Sequence, residues 1–204
     1  MKDDIHFWVA TMIRGALALL AGSAVIVIPD MARTLLLLPF AVALSILCLA
    51  AYGVLDSAII FVTSFMTASP LARTALRMQG SLGVLVGVLL FAVIYDQVRL
   101  HWFLYLIAFQ ALLTAGAEFL VARHAFTHST SSWNFAAAAV AFVFFCAYGL
   151  AATLFVNGLT PREIAWLIYG YLLGLGLAQC LTAARMLYAD RLQVKQPASF
   201  IGTR

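Results

Sequence analysis

Three ionisable side chains lie inside long apolar stretches of the sequence and are the first candidates for chemistry. Arg14 lies in the first apolar stretch, Asp56 in the second and Glu118 in the fourth. A charged group in the middle of a bilayer costs roughly 2.5–3.5 kcal/mol on insertion scales, so each such group is a functional hypothesis by default. We predict that Arg14, Asp56 and Glu118 form one intramembrane polar cluster, which Gln79 and Gln179 complete through amide hydrogen bonds.

This cluster has two interpretations from the sequence. In the structural one, the charges pair with one another and determine how the helices pack. In the transport one, Asp56 and Glu118 carry protons or bind a small solute, because a buried carboxyl group can be tuned to exchange protons. No chain of acids or histidines continues the cluster across the membrane, so the structural interpretation is favoured and the transport one stays open.

Other reactive residues give weaker indications. His101, close in sequence to Asp96, is a candidate acid sensor on the outer face, because histidine changes charge near pH 6.5. The cysteines Cys48, Cys146 and Cys180 fall in apolar stretches without metal-ligand spacing, and we expect them to be small buried residues. No catalytic motif, metal site or cofactor site is indicated, so the chain is not expected to be an enzyme.

The elements that carry these residues are long apolar segments. Of the 204 residues, 65% are hydrophobic and 10% are charged, against roughly 45–50% and 25% in a soluble domain. The net charge of +4 is small and dispersed, which argues against nucleic-acid binding. Six stretches are long enough to cross a bilayer, and we predict spans over residues 7–28, 35–62, 76–95, 102–121, 135–156 and 164–188.

The connections between these spans are predicted to be short. Pro29 and Asp30 are expected to stop the first span, and residues 31–34 to turn the chain. The longer polar connections are predicted at residues 63–73 and 123–132. Basic residues follow the positive-inside rule, which predicts that both termini are cytoplasmic. Nine of the twelve lysines and arginines lie on the face of the termini: Lys2, Arg14, Arg73, Arg77, Arg123, Arg185, Arg191, Lys195 and Arg204.

The three hairpins of the sequence are related by an internal repeat. Arg14-Gly15 with Gly22 matches Gln79-Gly80 with Gly87 at a shift of 65 residues. In the second arms, Asp56 corresponds to Glu118 and then to Gln179. Each copy enters the membrane from the same side, which makes the repeats parallel. The third copy has Ala141 near the position of Arg14 and is the most divergent.

The pattern Arg14-Gly15-x6-Gly22-x6-Pro29, followed by Tyr52-x3-Asp56, resembles the HdeD family of small bacterial inner-membrane proteins. The resemblance implies six spans built from three hairpins and an association with acid resistance, without an established molecular activity. The second copy has Ile94 where the first has Pro29, and the third lacks both the arginine and the acid, so the three copies are not equivalent.

We therefore expect an all-α integral membrane protein with six transmembrane helices, arranged as three parallel helical-hairpin repeats with pseudo-threefold symmetry. Residues 1–204 form one membrane domain with repeats at about 7–62, 76–122 and 135–188, and residues 189–204 form a cytoplasmic tail. The expected function is an HdeD-like, non-enzymatic role in acid or envelope stress resistance in the bacterial inner membrane. The alternative is a small proton or solute transporter or channel. The lipid bilayer is the expected partner, and a homo-oligomer is left open.

Overall fold

Six long helices account for almost all of the chain. The computed structural model describes residues 2–34, 38–67, 69–95, 100–124, 128–155 and 158–194. Within them the helices are α1 (Lys2–Thr34), α2 (Leu38–Ser64), α3 (Pro70–Tyr95), α4 (Leu100–His124), α5 (His128–Leu150) and α6 (Pro161–Val194), and a π-helical turn at Ala151–Phe155 extends α5.

Each of the six helices contains a window that is long and apolar enough to cross a membrane. The windows have 22 to 28 residues, which is enough for a hydrocarbon core of roughly 30 Å. Large apolar side chains such as Leu20, Val143 and Leu154 are exposed on the outer surface, as expected for helices that face lipid. The all-helical prediction with six spans is confirmed, and the chain is a multi-pass membrane protein in a lipid environment.

Several helix ends differ from the prediction. Helix α1 continues through Pro29 to Thr34, so the prediction that residues 29–34 stop the helix and turn the chain is wrong. An internal proline removes only one backbone hydrogen bond, and transmembrane helices tolerate this. The polar connections are also shorter than predicted, because Pro70 begins α3 and His128 begins α5. Proline suits the first helical turn, where its missing N–H would have no helical partner. Helix α6 extends to Val194, into the predicted tail.

The helices form a closed ring. Each helix packs against its neighbours in the chain, and α6 returns to pack against α1. Within the described residues, no two helix backbones come close across the ring, so contacts across it are made by side chains. The most extensive contacts are α2 with α3, α4 with α5 and α6 with α1. These pairs join successive predicted hairpins, so each hairpin packs more closely against its neighbours than its own two arms pack together.

Glycine permits the closest of these approaches. A Cβ atom on Gly15 would lie 2.9 Å from the carbonyl oxygen of Gly176 and 2.6 Å from Sγ of Cys180. Helix α1 therefore lies against the backbone of α6 at this point, as small residues allow in membrane helix packing. The contact holds α1 in the rotation that turns the neighbouring Arg14 toward the centre of the ring.

Candidate functional site

The centre of the ring contains a buried ion-pair network made by three helices. Arg14 of α1 donates from Nε to Oδ1 of Asp56 on α2 at 2.8 Å, and from Nη1 to Oε1 of Glu118 on α4 at 3.2 Å. The three residues are only 6%, 3% and 5% exposed. We call Arg14, Asp56 and Glu118 the triad. Two carboxyl groups thus share one guanidinium group, and the ionised triad would carry one surplus negative charge.

The triad lies nearer to one face of the membrane. Arg14 is seven residues from the start of its candidate span, Phe7–Pro29, whereas Asp56 and Glu118 are eight and five residues from the ends of theirs, Ala43–Ser64 and Trp102–Arg123. Helix α1 runs opposite to α2 and α4, so these three positions meet on one side of the midplane. We call the face at which α1 begins, and α2 and α4 end, the N-terminal face.

Gln79 takes part in a different network from the triad. Its Nε2 donates to Oγ1 of Thr114 at 3.3 Å, and the Thr114 hydroxyl donates in turn to the carbonyl oxygen of Gln110 at 3.0 Å. The side chain of Tyr171 on α6 lies close to Thr114. Gln79 and Thr114 therefore connect α3 to α4 through buried polar groups, and Tyr171 brings α6 next to them.

Gln179 occupies the position in the third repeat that corresponds to Asp56 and Glu118, and it is 2% exposed. Neither its Oε1 nor its Nε2 has a hydrogen-bond partner among the described residues, and the same holds for Oε1 of Gln79. A buried polar group without a partner costs roughly 1–3 kcal/mol. Of the five predicted cluster residues, the structure thus joins three directly, places Gln79 in an adjacent network and leaves Gln179 unpaired within the described ranges.

A small cavity adjoins the triad on its N-terminal side. Its volume is about 10 Å³, and its polar lining comprises Thr11, Arg14, Thr63, Glu118 and Asn134. Asn134 lies near the start of α5, is 4% exposed, and its Nδ2 has no partner within the described part of the chain. The cavity lies between the triad and the N-terminal face, because Thr11 and Asn134 are near the starts of α1 and α5 and Thr63 is near the end of α2.

A group of aromatic side chains joins α5 to α6. The rings of Phe144 and Tyr148 on α5 pack against that of Tyr171 on α6, with centroids 5.6 and 6.0 Å from it. Tyr148 is fully buried, and its hydroxyl donates to the carbonyl oxygen of Leu167 at 3.2 Å. We call Phe144, Tyr148 and Tyr171 the aromatic layer. It belongs to a larger hydrophobic core, to which all six helices contribute buried apolar side chains.

The remaining sequence candidates contribute less. Asp96 lies outside the described residues, and the side chain of His101 is not among those described, so the outer-face acid sensor stays a prediction. Within the described ranges, no group of three His, Cys, Asp or Glu side chains lies close enough to hold a metal ion. Cys48 and Cys180 are half-buried, but Cys146 is exposed. The expectation of burial is wrong for Cys146, which faces outward from the ring.

The sequence interpretation missed Thr114, Asn134 and Tyr171. Gln110, Thr114 and Glu118 follow one another at intervals of four residues along α4, which places them on one helix face, and this spacing was the available signal for Thr114. Asn134 was missed because it falls at the predicted boundary of the fifth span. Known protein families, curated proteins and solved structures contain no match to this chain.

Proposed function

We propose that this chain is an HdeD-like, non-enzymatic protein of acid or envelope stress resistance, located in the bacterial inner membrane with both termini in the cytoplasm. In this proposal the triad is a structural lock, and three parallel hairpin repeats surround a pseudo-threefold axis. The protein acts through an interaction or through its effect on the membrane, not by passing solutes across it.

The buried triad is the observation that carries this proposal. Arg14 bonds one carboxyl group of its own hairpin and one of the next hairpin. A buried ion pair contributes little net stability compared with apolar packing, but breaking it leaves an uncompensated charge. Such a network is therefore suited to selecting one arrangement of helices. The hydrophobic core supports the same role, because buried apolar side chains from all six helices, the aromatic layer among them, pack together inside the ring.

The glycines of the pattern that resembles the HdeD family support the internal repeat. In the first copy, a Cβ on Gly15 or Gly22 would meet α6, at Gly176 and Leu172. In the second copy, the corresponding Gly80 and Gly87 approach α2, at Phe61 and Val54. Both first arms thus use matched glycines to pack against the second arm of the preceding hairpin. The third copy departs from this, because a Cβ on Gly149 would meet no described atom within 4 Å.

Two measurements, survival of an acid challenge and proton flux into proteoliposomes, test this proposal. Bacteria producing the wild-type chain should survive an acid challenge better than bacteria producing Arg14→Gln, and proteoliposomes of the wild type should show no proton flux above empty liposomes after an acid jump. Arg14→Gln should assemble poorly in the membrane. Equal survival with and without the chain would contradict the stress role, and flux in wild-type vesicles would contradict the structural role.

A small proton or solute transporter is the second candidate function. The observation that favours it is the composition of the ring centre, where two carboxyl groups face one guanidinium group and the amide of Gln179 is unpaired in the described structure. This candidate predicts flux in the wild type that Asp56→Asn and Glu118→Gln abolish while both variants still fold. Folded variants with unchanged flux would exclude the triad as the transport site.

A further inference from the structure

Two residues that line the cavity beside the triad each carry a buried hydrogen-bond donor that has no partner in the described part of the chain. These donors are Nη2 of Arg14 and Nδ2 of Asn134, and both residues are more than nine-tenths buried. The two hydroxyl groups in the lining already donate, Thr11 to the carbonyl oxygen of Phe7 and Thr63 to that of Ile60, so toward the cavity they can only accept. The cavity therefore combines two free donors with the carboxylate of Glu118 as an acceptor.

Size and charge identify the ligand. A buried water needs roughly 10–15 Å³ and two to four polar partners. The cavity offers about 10 Å³ and at least three such partners, on Arg14, Asn134 and Glu118. An anion would approach the carboxyl groups of Glu118 and Asp56, which repel it. A metal cation would meet the guanidinium group and the amide N–H groups, which cannot ligate it. Water can accept from both donors and donate to the carboxylate.

We propose that this cavity is a binding site for one water molecule, which bridges Arg14, Asn134 and Glu118 and connects the triad to the N-terminal face. Glu118 is then the carboxyl group that exchanges protons with this face. Asp56 has a different position, because it accepts the shorter bond from Arg14 and does not line the cavity. The inference is independent of the stress role, since it concerns access to the triad in either candidate function.

The surroundings of Glu118 restrict this exchange to one face. The charged and titratable groups near it are Arg14 on α1, Asp56 and Tyr52 on α2, and Tyr171 on α6. Helices α3 and α5 bring the neutral amides of Gln79 and Asn134. On the side away from the cavity, the aromatic layer and the buried apolar side chains of the other helices form one packed hydrophobic core. We therefore expect the site to respond to acid on the N-terminal face and not on the opposite one.

The water site is tested first by an experimental structure at a resolution that shows ordered water. Density for one water within hydrogen-bond distance of Arg14, Asn134 and Glu118 is expected in the wild type. It should be lost in Asn134→Leu, which replaces the amide by an apolar group of similar size, and retained in the control Thr63→Val. A dry cavity in the wild type, loss of the water in Thr63→Val, or a bromide ion bound there after soaking would each overturn the proposal.

Access is tested by infrared difference spectroscopy on proteoliposomes with one protein orientation. The carboxyl signal of Glu118, identified by its disappearance in Glu118→Gln, should change when acid is added on the N-terminal face, and Asn134→Leu should slow this response at least about tenfold. Folding of each variant is checked by size-exclusion chromatography, with Asn134→Ser as a second variant that keeps a small polar group and should respond faster than Asn134→Leu. A response to acid from the opposite face, equal rates in Asn134→Leu and wild type, or no Glu118 signal from either side would refute one-sided access.

Discussion

Replacement of Arg14 by methionine is the sharpest test of how the ring is held together. Methionine matches the length of the aliphatic part of arginine but provides no charge and no donor. In Arg14→Met, the carboxyl groups of Asp56 and Glu118 would lose their bonds at 2.8 and 3.2 Å and remain buried together without a cation. Both are more than nine-tenths inaccessible to solvent, so bulk water does not compensate the loss.

The expected effect is large. Removing one partner of a buried ion pair typically lowers the free energy of unfolding by about 3–5 kcal/mol, whereas replacing the whole network by apolar or neutral groups is often nearly neutral. We therefore expect Arg14→Met to lower the free energy of unfolding by an amount near the upper limit of this range, about 5 kcal/mol. The triple variant Arg14→Met/Asp56→Asn/Glu118→Gln, which carries no charge in the ring, should recover most of that loss.

Reversible unfolding in mixed detergent micelles measures these differences, with helix content followed by circular dichroism. The single variants Asp56→Asn and Glu118→Gln, together with the double variants that combine each of them with Arg14→Met, complete one mutant cycle for each ion pair. Asp56→Asn should be the more destabilising of the two, because Asp56 accepts the shorter bond.

An Arg14→Met loss below about 1 kcal/mol, the value of a solvent-exposed ion pair, would refute this reasoning. It would mean that the triad is hydrated or not formed in the membrane. A triple variant that is no more stable than Arg14→Met would also refute it, because the destabilisation would then come from lost packing and not from unpaired charge.

Two further predictions concern the packing and the amides around the triad. Gly15→Ala should destabilise the fold by about 1–3 kcal/mol in the same assay, because its methyl group would overlap Cys180 and Gly176 on α6. The matched control Gly149→Ala should be tolerated, because a methyl group there meets no described atom within 4 Å. Equal effects of the two variants would contradict close packing of α1 on α6. Gln179→Leu should raise the free energy of unfolding, because it removes a buried amide with no partner in the described structure. Gln79→Leu should lower the free energy of unfolding by about 1 kcal/mol, because the bond to Thr114 is lost. If Gln179→Leu is instead the less stable of the two variants, Gln179 binds a ligand or water.

The number and class of the elements were predictable because they follow from transfer free energies along the chain. About twenty apolar residues in succession favour a membrane helix whatever surrounds them. The ends were less predictable: Pro29 lies within α1, and the polar residues at the start of α5 are helical. Local propensity favours a helix break at both places. In a bilayer, however, losing a backbone hydrogen bond costs more free energy, because water cannot replace it, so the helix continues.

The triad was predictable for a related reason. A charge inside a membrane is costly unless it is paired, so one arginine and two acids at similar depth indicate a common site. The partners of the amides were not predictable in this way. Gln79 and Gln179 are neutral, and their cost of burial is too small to require any particular neighbour. Only the rotation of each helix decides that Gln79 reaches Thr114.

The amino-acid sequence by itself determines that this chain has six membrane helices and that Arg14, Asp56 and Glu118 need one another, because both conclusions depend on depth in a bilayer and on charge. The tertiary structure decides that α6 closes the ring on α1, that the aromatic layer joins α5 to α6, and that Asn134 and Glu118 line one small cavity. These features depend on helix rotation and on contacts between residues far apart in the chain, neither of which is contained in hydropathy or spacing.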